Sequence, residues 1–248
     1  MTGPSAPRKL RVRFGKTGKV RFTSHRDVAR IWERALRRAG LPVAYSEGFS
    51  PRPRLSFGLA LSTGHESHGE YLDVNLREDA PGGDVACELF ALQVNPALPV
   101  GLEVQAVEPL APGADSLQQA VTSCTWHFEF SGLTEGEREA AIERTLASDE
   151  IVVTRERKGQ EVTEDIRPCI LDLQVLPPGT GCGVVEAELA TQPRSLRPAE
   201  LVNALDPALH ADRVVRIHQW TQVGGARQEV IPLPPAATLA PHAQARAS

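Results

Sequence analysis

Leu10, Val12 and Phe14 alternate with Arg11 and Arg13, a period of two that predicts a strand. Gly15 and Gly18 bracket a turn, and the alternation resumes at Val20 and Phe22 against Arg21 and Thr23, so 9–23 reads as a strand or hairpin. The period then lengthens. Val28, Ile31, Trp32, Ala35, Leu36 and Ala39 recur at helical spacing. Ser24 is the N-cap, Asp27 three residues on is the acid of a short capping box, and Gly40 and Pro42 stop the helix. Another strand starts at 43–45, a loop fills 48–53, strands follow at 55–61 and 71–76, then a helix at 84–94 and a strand at 102–107.

The second half repeats this order. A strand at 124–130 precedes a helix at 134–147, strands at 151–157 and 166–176 around a Lys158-Gly159 turn, and a strand at 184–190. A helix at 198–205, with Ser195 as its cap, and a strand at 214–220 complete the pattern. The order β-α-β-β-α-β occurs twice, which predicts the α+β class with two tandem ferredoxin-like domains. Their expected bounds are 8–110 and 118–222, joined by the Pro/Ala/Gly-rich stretch at 109–115. The duplication is one of element order, not of residues. Residues 1–7 and the Pro/Ala/Gln-rich stretch 223–248 are expected to be disordered.

Composition adds two restrictions. No apolar run approaches the roughly 18 residues of a membrane span, and 1–7 lacks the apolar core of a secretory signal. Cys87, Cys124, Cys169 and Cys182 lie far apart with no CxxC pair, which with the preceding point implies reduced thiols and a cytoplasmic location. The net charge of −4 hides an asymmetry: residues 8–54 hold 14 Lys or Arg against three acids, net +11, and the remainder carries −15. Such a split points to a polyanion-binding face on an acidic body, to a docking face for an acidic protein, or simply to a solvated surface.

The basic residues have a pattern. Arg26, Arg30 and Arg34 fall at i, i+4 and i+8 of the first helix, with Arg37 and Arg38 beside the end of that row. Guanidinium forks bond two phosphate oxygens at once, so the row, with Arg21, is a candidate RNA or phosphate contact. In 45–54, Phe49 lies in a Gly/Ser/Pro loop between Gly48 and the two prolines, where an exposed ring can stack on a base; alternatively it plugs the core edge. Arg52 and Arg54 then grip the same strand's backbone. His25, at the helix start, is either a structural residue or a general base for RNA chemistry with Tyr45. His65, Glu66 and His68 lack HExxH spacing and read as a turn, and Cys124 and His127 point to opposite faces of a strand, so no metal is expected. Trp32 and Phe49 are the apolar anchors available to a protein-docking reading. Phosphate-loop, GxSxG, HExxH and CxxxCxxC motifs are lacking.

The runs Phe22-Thr23-Ser24-His25-Arg26-Asp27, Glu33 to Pro42, Ser46 to Pro53, Leu55-Ser56-Phe57 and Glu70 to Val74 closely resemble the radical-SAM-linked protein family. That is a domain of unknown function found fused to, or encoded beside, cobalamin-binding-type radical SAM proteins. The resemblance is specific over 9–76 and looser to about 220. It implies a radical SAM protein acting in trans, which would carry the iron–sulfur cluster and S-adenosylmethionine, with no cofactor in this chain. Family genes often neighbour those for ribonuclease E/G-type enzymes and ribosomal proteins, which implies an RNA or ribosome connection. One position departs: family members usually carry His where Arg52 stands, so the resemblance carries over a positive contact there, not a base or metal ligand. The expected role is an RNA-binding or substrate-presenting accessory subunit. A docking module without RNA contact is the alternative, and an RNA-cleaving or RNA-modifying enzyme using His25 the minor one.

Overall fold

A computed structural model describes residues 9–80, 83–157, 159–177 and 183–233. The stretch 1–7, Lys158, Cys182 and 234–248 therefore lie outside the described residues. The protein is a mixed α/β fold with one large, mostly antiparallel sheet and, among the described residues, five α-helices. No helix among those residues is long and apolar enough to cross a membrane.

The first half contributes β1 (Lys9–Lys16), α1 (His25–Ala39), β2 (Leu55–Phe57), β3 (Glu66–Asn75), α2 (Gly83–Val94) and β4 (Leu102–Leu110). The second contributes α3 (Leu117–Ala120), β5 (Val121–Glu129), α4 (Glu135–Ala147), β6 (Val152–Arg157), β7 (Gln160–Asp165), β8 (Ile170–Val175), β9 (Val184–Ala190), α5 (Pro198–Leu205), β10 (Arg213–Val223) and β11 (Ala226–Glu229). The sheet runs β4-β1-β3-β10-β5-β9-β8, with β2 added on β3 and β11 on β10, while β6 and β7 pair as a separate hairpin. The expected junction at 109–115 falls between β4 and α3, and the sheet continues through both halves.

Several expectations are corrected. Residues 18–22 form a 3-10 turn, not a strand, because Gly18 adopts φ 66° and turns the chain. β2 is three residues long, and the next strand begins at Glu66, so Glu66 and His68 sit in β3 rather than in a turn. The stretch 151–176 holds three strands, β6, β7 and β8, because the Gly159 turn closes a local hairpin before β8 joins the sheet. Arg197, not Ser195, caps α5, with Glu200 bonding back to its backbone N–H at 2.9 Å. Residues 223–231 are ordered: β11 pairs with the end of β10, and Ile231 is buried.

Among the described residues two large apolar cores lie on the sheet, with a small third cluster of Tyr71, Leu117 and Ile231. Leu10, Val12, Phe14, Leu72 and Val74 meet Val28, Trp32 and Leu36 of α1 and Phe90 and Val94 of α2. Trp126, Phe128, Val185, Ala187 and Leu189 meet Ile142 of α4 and Leu201 and Leu205 of α5. Between the two halves the β3–β10 ladder is parallel and only two residue pairs long. Side chains complete it. Arg213 bonds Glu66 at 2.5 Å, Arg216 bonds Glu70 at 2.5 Å and the Leu59 carbonyl at 2.9 Å, and Gln219 donates to the Gly69 carbonyl at 2.6 Å. In the other phase of β1, Arg11 forks onto Asp73 at 2.7 and 2.9 Å. Arg13 bonds Tyr71, Glu229 and the Ile231 carbonyl, which ties the C-terminal segment to β1.

Candidate nucleic-acid interface

α1 forms where it does because its ends are fixed. Ser24 Oγ accepts from the Asp27 N–H at 3.2 Å and donates to the Asp27 carboxylate at 2.7 Å, and Gly40 closes the helix in the left-handed region at φ 64°. Val28, Trp32, Ala35 and Leu36 face the sheet. That register leaves Arg26, Arg30, Arg34, Arg37 and Arg38 all exposed. At 1.5 Å per residue, Arg26 and Arg38 are about 18 Å apart along the axis.

Only part of this charge is already answered. Arg30 pairs with Asp27 at 2.9 Å, and Arg37 approaches Glu33 at 3.9 Å. The Ser24 hydrogen bond, helped by Arg30, holds the Asp27 carboxyl below its usual range. Arg26, Arg34 and Arg38 form no ion pair or side-chain hydrogen bond among the described residues, nor do Arg52 and Arg54. The raw excess of the first 54 residues nevertheless overstates the free charge. Arg11, Arg13 and Arg21, all in the basic segment, are neutralised by Asp73, Glu229 and Glu66. Arg21 also lies over the Phe22 ring at 4.7 Å, so it belongs to an ion-pair cluster beside the row rather than to the row itself.

The loop after α1 is a small hairpin. Ser46 and Arg52 are joined by a backbone bond of 2.8 Å, and Tyr45 and Pro53 form a bridge. Both feet stand on Asn75, through Ala44 at 2.8 Å and Arg54 at 3.1 Å. Pro42 and Val43 hold the end of α1 to Arg77 and Leu76 at that same end of β3. The hairpin therefore follows directly on Arg37 and Arg38. Gly48, at φ 118°, turns its tip and Phe49 is wholly exposed there, which decides against Phe49 as a core plug. Trp32 is fully buried beside Phe14, so it is not an anchor for a partner.

His25 begins α1 and is exposed, its ring edge-on to Phe57 with centroids 5.3 Å apart. It lines a narrow cleft with Lys16, Phe57, Gly58, Leu61 and Glu70, with a volume of about 10 Å³, room for one water. Lys16 was not among the candidates from sequence. It is 2 % exposed, and its ammonium donates to the carbonyls of Thr23 at 3.0 Å and Arg21 at 3.3 Å. Burial pulls its pKa down, Glu70 opposes this and Arg216 adds to it. The signal in the sequence is its phase: Lys16 occupies the same side of β1 as Leu10, Val12 and Phe14. Tyr45 sits in the hairpin, apart from the cleft-lining residues. Among the described residues no three His, Cys, Asp or Glu side chains gather as a metal site. Cys124 is buried, with its thiol pushed up to about 11 by desolvation, while His127 on the opposite side of β5 bonds Glu186 at 2.8 Å.

Residues 9–211 match the family described as an uncharacterized protein conserved in bacteria (DUF2344). The chain belongs to this family. The matched span takes in α1, the 44–54 hairpin and the cleft, and ends just before β10, so it leaves out β10, β11 and Ile231. No curated protein matches the chain.

Proposed function

We propose that this member of the family is an RNA-binding accessory subunit that holds single-stranded RNA along α1 and presents it to a modifying enzyme. One observation carries the reading: five arginines with no ion pair or side-chain hydrogen bond among the described residues, Arg26, Arg34, Arg38, Arg52 and Arg54, run from an exposed helix face onto a hairpin tipped by a wholly exposed Phe49. Arginine forks suit phosphates, and a protruding ring suits an unstacked base. A duplex hides its base faces in the stack, so the Phe49 tip favours single strands. Protein docking without RNA is weakened by the burial of Trp32, which leaves Phe49 as its only remaining anchor of the two.

In this reading the enzyme served is a radical SAM protein acting in trans, with the iron–sulfur cluster and S-adenosylmethionine on the partner. That part rests on the resemblance of residues 9–76 alone. We also read the two halves as tandem ferredoxin-like units. The orders β4-β1-β3-β2 with α1 and α2, and β10-β5-β9-β8 with α4 and α5, support this, with α3 ahead of the second unit and β6–β7 as an insertion in it. The test is binding of a single-stranded oligoribonucleotide and of its duplex, followed by fluorescence anisotropy. The reading requires the single strand to bind more tightly and the Phe49→Ala variant to narrow that preference. Equal binding of both forms contradicts it.

A further inference from the structure

A groove of about 320 Å³ opens beside the start of β3, within the range of roughly 300–1,000 Å³ usual for small-molecule sites. Its walls are Val202 and Asn203 of α5, Leu209 and His210 of the following loop, Val214 of β10, and His65. The apolar walls suit the face of a flat molecule. Three residues with polar side chains line it. His65 Nδ1 is buried and has no hydrogen-bond partner, and the exposed Asn203 amide and His210 imidazole have none among the described residues. Burial, with the charges of Arg216 and Lys16, holds His65 below its ordinary pKa, so it is neutral near pH 7. A neutral ligand edge therefore suits this wall better than an anion.

The groove is linked to the segment that leads into α1. Gly64, the neighbour of His65, donates to the Arg21 carbonyl at 2.8 Å, which joins the His65 wall to the turn that carries Arg21 and the exposed Phe22 and leads into α1. We propose that this groove is a nucleobase site that receives one unstacked base of a strand lying on the α1 arginines. It rests on the RNA reading of α1 and extends it by a second base position, at the opposite end of the row from Phe49. Asn offers a donor and an acceptor in one plane, the complement of a base edge. Histidine rings stack on bases as well as bonding them.

The test uses nucleosides, which carry no phosphate and so bypass the arginines. Adenosine, guanosine, cytidine and uridine are titrated into the full chain while the His65 and His210 ring signals are followed by NMR, with ribose as control. Saturable shifts with a Kd of about 1–10 mM for at least one nucleoside are expected. Ala199→Phe, at an exposed position on the groove wall, should abolish them, and Asn203→Ala should weaken binding about tenfold. Silence of both histidines toward all four nucleosides overturns the proposal, as does an equal response to ribose or to nucleosides in Ala199→Phe. If a single-stranded oligoribonucleotide still binds while nucleosides do not, the groove assignment fails and the α1 reading stands.

Discussion

Replacing Arg216 by Met should cost more stability than any surface change in the chain. Arg216 is 2 % exposed and donates twice to Glu70, at 3.0 and 2.5 Å, and once to the Leu59 carbonyl at 2.9 Å. Methionine fills similar space but leaves the Glu70 carboxylate buried beside it without the guanidinium that bonds it, with only the Lys16 charge nearby. Removing one partner of a buried pair costs about 3–5 kcal/mol, chiefly because the other charge stays desolvated. With a urea m-value of about 2–3 kcal/mol/M, the midpoint should fall by about 1–2.5 M. The double variant Arg216→Met/Glu70→Met removes both charges and should recover most of the loss. The assay is equilibrium urea unfolding followed by tryptophan fluorescence, since Arg216 lies over the Trp126 ring at 5.2 Å. A loss below about 1 kcal/mol, or a double variant no better than the single one, would refute the argument that this pair closes the short β3–β10 ladder.

Acid should destabilise the protein in two stages. His65 and His68 have folded pKa values below their usual one, mainly from burial, so the unfolded chain takes up more protons. Stability is then full above about pH 6.5 and falls as pH drops below it, and His65→Phe should flatten that first decline in a pH series of urea midpoints. Glu66 lies below its usual value because bonds from Arg213 and Arg21 outweigh burial, so its contribution holds above about pH 4.5 and is lost below. Gly101→Ala should destabilise by about 2–3 kcal/mol in thermal unfolding, because Gly101 sits at φ 96° and an added Cβ runs into the Thr17 carbonyl. Phe49→Ala should leave the unfolding midpoint unchanged and weaken single-strand binding by about 1–3 kcal/mol in anisotropy titrations.

The helices and the exposed site were legible because their signals are local. Ser24, Asp27 and Gly40 fix the ends of α1, and the Val28, Trp32, Leu36 spacing fixes which side the arginines take. Gly48 and two prolines mark the hairpin tip, although nothing local says whether Phe49 points out or in. The pairing of the two halves through β3 and β10 was not legible. Arg216 and Glu70 are 146 positions apart, and their pairing depends on β10 lying beside β3. Each does leave a trace, as a charge in the apolar phase of its strand: Glu70 with Leu72 and Val74, Arg216 with Val214, and Lys16 with Phe14. Strand β11 was hidden for a different reason. Its Ala226–Glu229 run is polar, and what orders it is pairing with β10 and the Arg13–Glu229 contact, both set by the sheet. Strand β6 and the Gly159 turn were read, but β7 was missed because its exposed, charged Gln160–Asp165 run lacks an apolar alternation.

The measurement closest to the central claim is the salt dependence of RNA affinity for the wild type and for an Arg26→Ala/Arg34→Ala/Arg38→Ala variant. These three arginines have no partner among the described residues and stand on an exposed face, so removing them should leave the fold intact. Each single-strand phosphate contact adds about 0.7 to the slope of log affinity against log salt. With Arg52 and Arg54 included, the wild type should show a slope of up to about −3.5, and the triple variant should lose about two units of it. An unchanged slope in the triple variant, or no binding by the wild type at low salt, would contradict the assignment of α1 as the RNA face.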